Sequence, residues 1–223
     1  LITPSGVPYD RLEPADIVFL PLDCGDAPVA EGPRKPSSEW RIHRDVYRAR
    51  PEALAILHAH PVHCAALACL RRPLPAFHYM VAVAGGRDVR CAPYATFGTQ
   101  ALSDHVVAAL EGRRACLMAN HGLLCLGADL RSALALAVEV ETLARTYLQC
   151  LAVGEPVILD DAIVYTDDDR ATVATPTVAD GRLWLEVPAH RNTAILLLAP
   201  APQRGGLRTF ARWPADAGPN RLE

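Results

Sequence analysis

The chain contains no uninterrupted apolar run of the 18 or so residues that a membrane helix requires, and its first residues lack the basic stretch and apolar core of a secretion signal. A membrane partner is therefore not expected, and the expected compartment is the cytoplasm. Charge of one sign is also scarce. Lys and Arg number 22 against 25 Asp and Glu, and a formal net charge of −3 gives no electrostatic footprint for nucleic acid or an anionic bilayer. The pairs Arg71-Arg72 and Arg113-Arg114 are short and separated, and read as solvated helix ends. None of the seven cysteines forms a C-x-x-C pair, which argues against a sulfur-ligated zinc; an odd set lying mostly in apolar runs fits reduced, buried thiols. No internal repeat is present. What remains is a chain of 223 residues, 51% hydrophobic and 21% charged, long enough for one substantial core and composed like a globular enzyme. Leu1-Ile2 reads as a strand already under way, so a segment upstream of Leu1 is expected.

Residues 1–22 read as two short strands, Leu1-Ile2 and Ile17-Leu20, around the turn-rich Thr3-Pro4-Ser5-Gly6-Val7-Pro8. Asp23 to Pro36, rich in Gly, Pro and charge, reads as a hairpin loop. A helix follows, with Ser37 and Ser38 as N-cap residues and Trp40, Ile42, His43, Val46 and Tyr47 at helical spacing. Ala53 to His60 has strand length, and Pro61 suits the start of a helix over Val62 to Leu70. Strands are expected at Tyr79 to Ala84, Val89 to Ala92, Ala115 to Asn120 and Leu123 to Leu126, and helices over Thr99 to Leu110 and Leu130 to Val153. Beyond Asp160 the composition shifts to Asp, Thr and Pro, with one strand-like stretch at Ala194 to Ala199. The mixture predicts an α/β or α+β class with a layered sheet, organised as a catalytic domain over 1–160 and a C-terminal tail over 161–223.

Among residues able to do chemistry, His58-Ala59-His60 stands out. Side chains two apart on a strand share a face, so both imidazoles can reach one ion. His121, before Gly122 in a sharp turn, offers a third nitrogen, and three protein ligands with an open position is the catalytic zinc arrangement. Glu39, in the first turn of its helix, is a carboxylate that the helix dipole favours and that can face a cation. Ser37 and Ser38 at the same helix start could seat a phosphate on hydroxyls and unpaired N–H groups, or could simply cap it. Ser5-Gly6 lies in a turn whose backbone could approach an anion. Tyr79 by itself reads as a core or interface aromatic.

Seven ordered stretches resemble one family: L-I-T-P-S-G-V-P-Y at 1–9, P-S-S-E-W-R at 36–41, H-A-H-P-V-H-C at 58–64, H-Y-M at 78–80, A-G-G at 84–86, C-A-P-Y-A-T-F-G-T at 91–99 and N-H-G-L at 120–123. Together they resemble the class II aldolases over about residues 1–160, nearest those that act on L-fuculose 1-phosphate. The resemblance implies a three-layer α/β/α sandwich around a mostly antiparallel sheet. It implies one divalent ion per subunit, zinc or else cobalt or manganese, held by His58, His60 and His121, with Glu39 beside it as metal neighbour and acid/base. It also implies Ser5, Gly6, Ser37 and Ser38 around a substrate phosphate, Phe97 at the aldehyde end, and Tyr79 reaching a neighbouring subunit's site in a homotetramer. The implied reaction is cleavage of L-fuculose 1-phosphate or a related ketose 1-phosphate to dihydroxyacetone phosphate and an aldehyde such as L-lactaldehyde. Relatives of the same fold act as epimerases, dehydratases or decarboxylases, and adducin-type relatives are not enzymes; these remain the alternatives.

Overall fold

The computed structural model describes residues 1–26 and 31–159 and, beyond them, the backbone of five short strands between 163 and 196. Its centre is the pair β3 (Ala115–Met118) and β4 (Gly122–Gly127), both buried along their whole length. β1 (Ala55–Ala59) pairs antiparallel with β4, and β2 (Arg90–Ala92) pairs parallel with β3, giving the order β1-β4-β3-β2. Because alternate strand residues point to opposite faces, each face of the sheet needs its own cover. Ala115, Leu117, Leu123 and Cys125 pack under α2 (Val62–Cys69) and α4 (Leu130–Val153). Cys116, Met118, Leu124 and Leu126 pack under α1 (Trp40–Ala49) and α3 (Gln100–Ala109). This is the three-layer α/β/α sandwich, with a mostly antiparallel sheet, that the sequence motifs led us to expect. Among the described residues no helix is long and apolar enough to cross a membrane.

Local chemistry sets the helix boundaries. α4 begins after Asp129, whose Oδ1 accepts from the Ser132 amide (2.6 Å) while the Ser132 hydroxyl accepts from the Asp129 amide (3.1 Å). α3 is capped by Thr99, whose Oγ1 accepts from the Leu102 amide. Burial pushes the Cys64, Cys116 and Cys125 thiols up, as inert core thiols require, whereas Cys69 is exposed.

The structure departs from the sequence expectations at several places. Tyr79–Ala84 is a 3₁₀ helix rather than a strand. An apolar run of this length suits either conformation, and the ends decide it: His78 Nδ1 accepts from the Met80 amide, and Gly85 closes the turn at φ +88°. α1 starts at Trp40, with Glu39 rather than a serine at the N-cap. Ser37 is held earlier, its amide donating to the Thr3 carbonyl (3.0 Å) and its Oγ accepting from the Glu39 amide (3.2 Å). The two N-terminal strands reduce to the isolated bridges Ile2 with Val18 and Phe19 with Glu31, with 3₁₀ turns at Tyr9–Arg11 and Pro14–Asp16 in the connection between them. In the expected hairpin loop Asp23 to Pro36, residues 27–30 lie outside the described residues. The expected strand at Ala194 to Ala199 is seen as Thr193–Leu196, and residues 197–199 likewise lie outside them.

Candidate metal centre

β1 carries His58 toward its C-terminal end, and His60 follows just past it. The ladder sets His58 opposite Leu124, and the turn between β3 and β4 presents His121. Glu39 comes from the start of α1, the helix that packs on this same face of the sheet. One donor atom from each of Glu39, His58, His60 and His121 lies within 4.8 Å of every other. Zinc takes imidazole nitrogen at about 2.0–2.1 Å, so donors around one ion sit roughly 3.4 Å apart in a tetrahedron. The observed spread needs only slight closure. The side chains of Glu39, His58 and His121 are 12, 10 and 15% exposed, while His60 stands at the open rim.

The protonation pattern points to a cation. His58 Nδ1 donates to the Leu123 carbonyl at 2.9 Å, so a neutral His58 turns its Nε2 lone pair inward. That nitrogen lies 2.7 Å from Glu39 Oε2 and 3.0 Å from His60 Nε2. Glu39 Oε1 is buried without a hydrogen-bond partner, although His121 Nε2 lies 3.3 Å away. Lone pairs facing one another this closely repel unless a proton or a metal ion stands between them. With protons rather than an ion in the centre, burial raises the Glu39 carboxyl, but the imidazoles of His121 and His58 outweigh it and hold the group well below the ordinary carboxylate range. Burial and the neighbouring His58 and His121 rings lower the His60 imidazole, keeping it in the unprotonated form that can ligate. The donor set therefore fits a divalent ion.

A backbone bridge joins the two segments that carry the expected phosphate residues. The Ser5 amide donates to the Lys35 carbonyl (2.9 Å) and the Ser37 amide to the Thr3 carbonyl (3.0 Å), so Ser5 and Ser37 flank the antiparallel Pro4–Pro36 bridge, one on each segment. Gly6 has φ +74° and open space where a Cβ would stand, and Ser5 and Ser38 are exposed. Phe97, 64% exposed, precedes Gly98, whose missing Cβ faces the Ser38 carbonyl. Arg41 fixes that loop by donating to the Gly98 carbonyl (3.0 Å). Tyr79 opens its 3₁₀ helix with its ring stacked on His78 at 4.7 Å between centroids. The structure thus groups four residues at the metal centre, whereas the expected phosphate residues lie on two segments joined at the Pro4–Pro36 bridge, with the Phe97-Gly98 loop against Ser38.

The sequence reading placed Gly122 only at a sharp turn; in the structure a Cβ there would stand 2.5 Å from the Ala59 carbonyl and 2.7 Å from His60 Cδ2. Glu141 escaped the sequence reading, since it lies inside α4 and gives no motif.

Known proteins resemble this chain over most of its described residues. The profile of the family described as Class II Aldolase and Adducin N-terminal domain matches residues 1–148. A 5-methylthioribulose-1-phosphate/5-deoxyribulose-1-phosphate aldolase of Rhodospirillum rubrum is 55% identical over 159 residues, covering 71% of this chain and 70% of that protein. An L-fuculose phosphate aldolase of Escherichia coli is 51% identical over 162 residues, covering 72% and 74%. Among solved structures, an L-fuculose 1-phosphate aldolase superposes with a TM-score of 0.67 at 47% identity, covering 70% of this chain and 72% of the other.

Proposed function

The chain belongs to the class II aldolase and adducin family, and from that premise we propose that it is a zinc-dependent lyase cleaving a ketose 1-phosphate, L-fuculose 1-phosphate foremost. The products are dihydroxyacetone phosphate and an aldehyde, L-lactaldehyde for that sugar. The observation that carries the reading is the convergence of Glu39, His58, His60 and His121 around an orphaned buried carboxylate oxygen.

These four residues would hold the ion. When bound, it supplies Lewis acidity toward the negative charge that bond cleavage leaves on the substrate's ketone end. Around it, the side chains divide the remaining work. The Leu123 carbonyl holds His58 in the tautomer that faces the centre. Glu39, kept ionised, exchanges the proton on the enediol side. The Tyr79 phenol, from a neighbouring subunit of a homotetramer, serves the aldehyde oxygen. Ser5, Gly6, Ser37 and Ser38 seat the phosphate, and Phe97 meets the aldehyde half. The names of the methylthioribulose-phosphate aldolase and the solved fuculose-phosphate aldolase share a 1-phosphorylated sugar and differ in the rest of it, so the choice of sugar falls to the Phe97 end.

Purified, zinc-loaded protein is to be offered L-fuculose, 5-methylthioribulose and 5-deoxyribulose 1-phosphates, with dihydroxyacetone phosphate followed by coupled reduction and the second product by mass. Release of dihydroxyacetone phosphate from at least one is expected, and release from none sinks the proposal. A product of unchanged mass, or one lighter by water or carbon dioxide, would instead show an epimerase, dehydratase or decarboxylase.

A further inference from the structure

α2 begins without a cap of its own. Its N-cap residue is Pro61, which has no side-chain acceptor, yet the first turn of a helix leaves amides needing partners. The acceptor comes from another element. Glu141, in the middle of α4, takes the His63 amide (3.0 Å) and the His63 Nδ1–H (2.7 Å) on Oε1, and the Cys64 amide (2.9 Å) on Oε2. Burial raises this carboxyl, but the two amides and the imidazole outweigh it and hold it below its ordinary value. The negative charge also lies at the favourable end of the α2 dipole. Val140, Leu143 and Ala144 on either side are locked in the core, so Glu141 projects from a rigid base.

The consequence concerns His60. Glu39 is braced by the Ser37 hydroxyl, His58 by the Leu123 carbonyl and the β1–β4 ladder, and His121 by its amide bond to the Met118 carbonyl (3.0 Å). His60 lies beyond the end of β1, is exposed, and is joined to α2 by Pro61 alone. Where its ring stands depends on where α2 starts, and Glu141 sets that start. We infer that Glu141 is a positioning residue for the metal centre, acting through the N-terminus of α2 on His60. The inference rests on the metal-site reading above.

The test measures metal affinity of folded protein rather than activity. Wild type, Glu141→Ala, Glu141→Gln and Asp129→Ala are titrated with Co²⁺ against a chromophoric chelator, and the visible bands of the Co²⁺ forms are recorded. Asp129→Ala removes the α4 cap, far from His60, and controls for general loss of stability. Glu141→Ala is expected to weaken Co²⁺ binding about 10-fold, the lower end of the cost of losing a direct outer partner of a ligand, since Glu141 acts one step further out through α2, and to shift the bands. Glu141→Gln keeps one acceptor and should fall between; if the alanine variant does not fold, the glutamine variant decides by the same criterion. Asp129→Ala should lower Tm while keeping wild-type affinity. Wild-type affinity in the Glu141 variants, or equal weakening in Asp129→Ala, overturns the inference. Failure of wild type itself to bind Co²⁺ or Zn²⁺ overturns the metal-site reading instead.

Discussion

Replacing Gly122 with alanine tests whether the metal centre depends on the close approach of β4 to the end of β1. The new Cβ would lie 2.5 Å from the Ala59 carbonyl and 2.7 Å from His60 Cδ2, both well inside the 3.4 Å at which ordinary contact begins. The carbonyl belongs to a strand fixed by its ladder with β4, so the strands must part or the His60 ring must swing away. Overpacking of this kind costs about 1–3 kcal/mol, which for a chain of this size lowers Tm by roughly 2–12 °C. The metal-dependent part is separable. An ion at 100 times its Kd stabilises the native state by about 2.7 kcal/mol, a rise of roughly 5–10 °C. Thermal unfolding with chelator and with excess zinc measures both. Wild type should show the zinc-dependent rise, whereas Gly122→Ala should melt lower with chelator and show little rise with zinc. A variant that keeps the full rise would refute the claim that this contact places His60.

Three further outcomes follow from the same contacts. Glu39→Gln should keep the fold yet lose aldol cleavage by about 10²–10⁴-fold, read from dihydroxyacetone phosphate release; near-wild-type turnover would remove Glu39 from the proton pathway. Gly86→Ala would drive a methyl into the Arg113 guanidinium, which donates to Asp88 at 2.7 Å, so the guanidinium must shift; overpacking of this kind costs about 1–3 kcal/mol, measured by urea unfolding, and an unchanged stability would contradict it. His43 is held down to about 4 by burial, then by the nearby His58, against an opposing pull from Glu39. Its unfolded ring titrates near 6.5, so the native state is fully stable above that pH. Below it the unfolded chain gains protons first, and up to about 3 kcal/mol is lost by pH 4. In metal-free protein, His43→Gln should flatten the urea midpoint between pH 6.5 and 4, and an unchanged slope would count against this account.

Periodic and capped segments were legible. α4 runs over the residues its apolar spacing predicts, because a single amphipathic face and the Asp129–Ser132 box both act within a few residues. The antiparallel pair β3–β4 was legible from two apolar runs meeting at His121-Gly122. The run at Tyr79–Ala84 was not, since its conformation is decided by a side-chain cap at one end and a left-handed glycine at the other. Nor was the start of α1, where a pairing of Ser37 with Thr3 moves the cap to Glu39.

By itself the sequence determined that His58 and His60 share a face and that His121 sits at a turn, since side-chain direction along a strand is a local property of two-residue period. It also carried the family motifs, and with them the expectation of a divalent ion. Only the tertiary structure decided that Glu39, from the helix layer covering the face of the sheet that His58 shares, meets the three histidines with one oxygen unpartnered. The same holds for the Pro4–Pro36 bridge that joins the Ser5 and Ser37 segments, and for Glu141 capping a helix that carries no cap of its own. Those encounters depend on sheet register and layer packing, which join residues far apart in the chain and leave no local pattern to read.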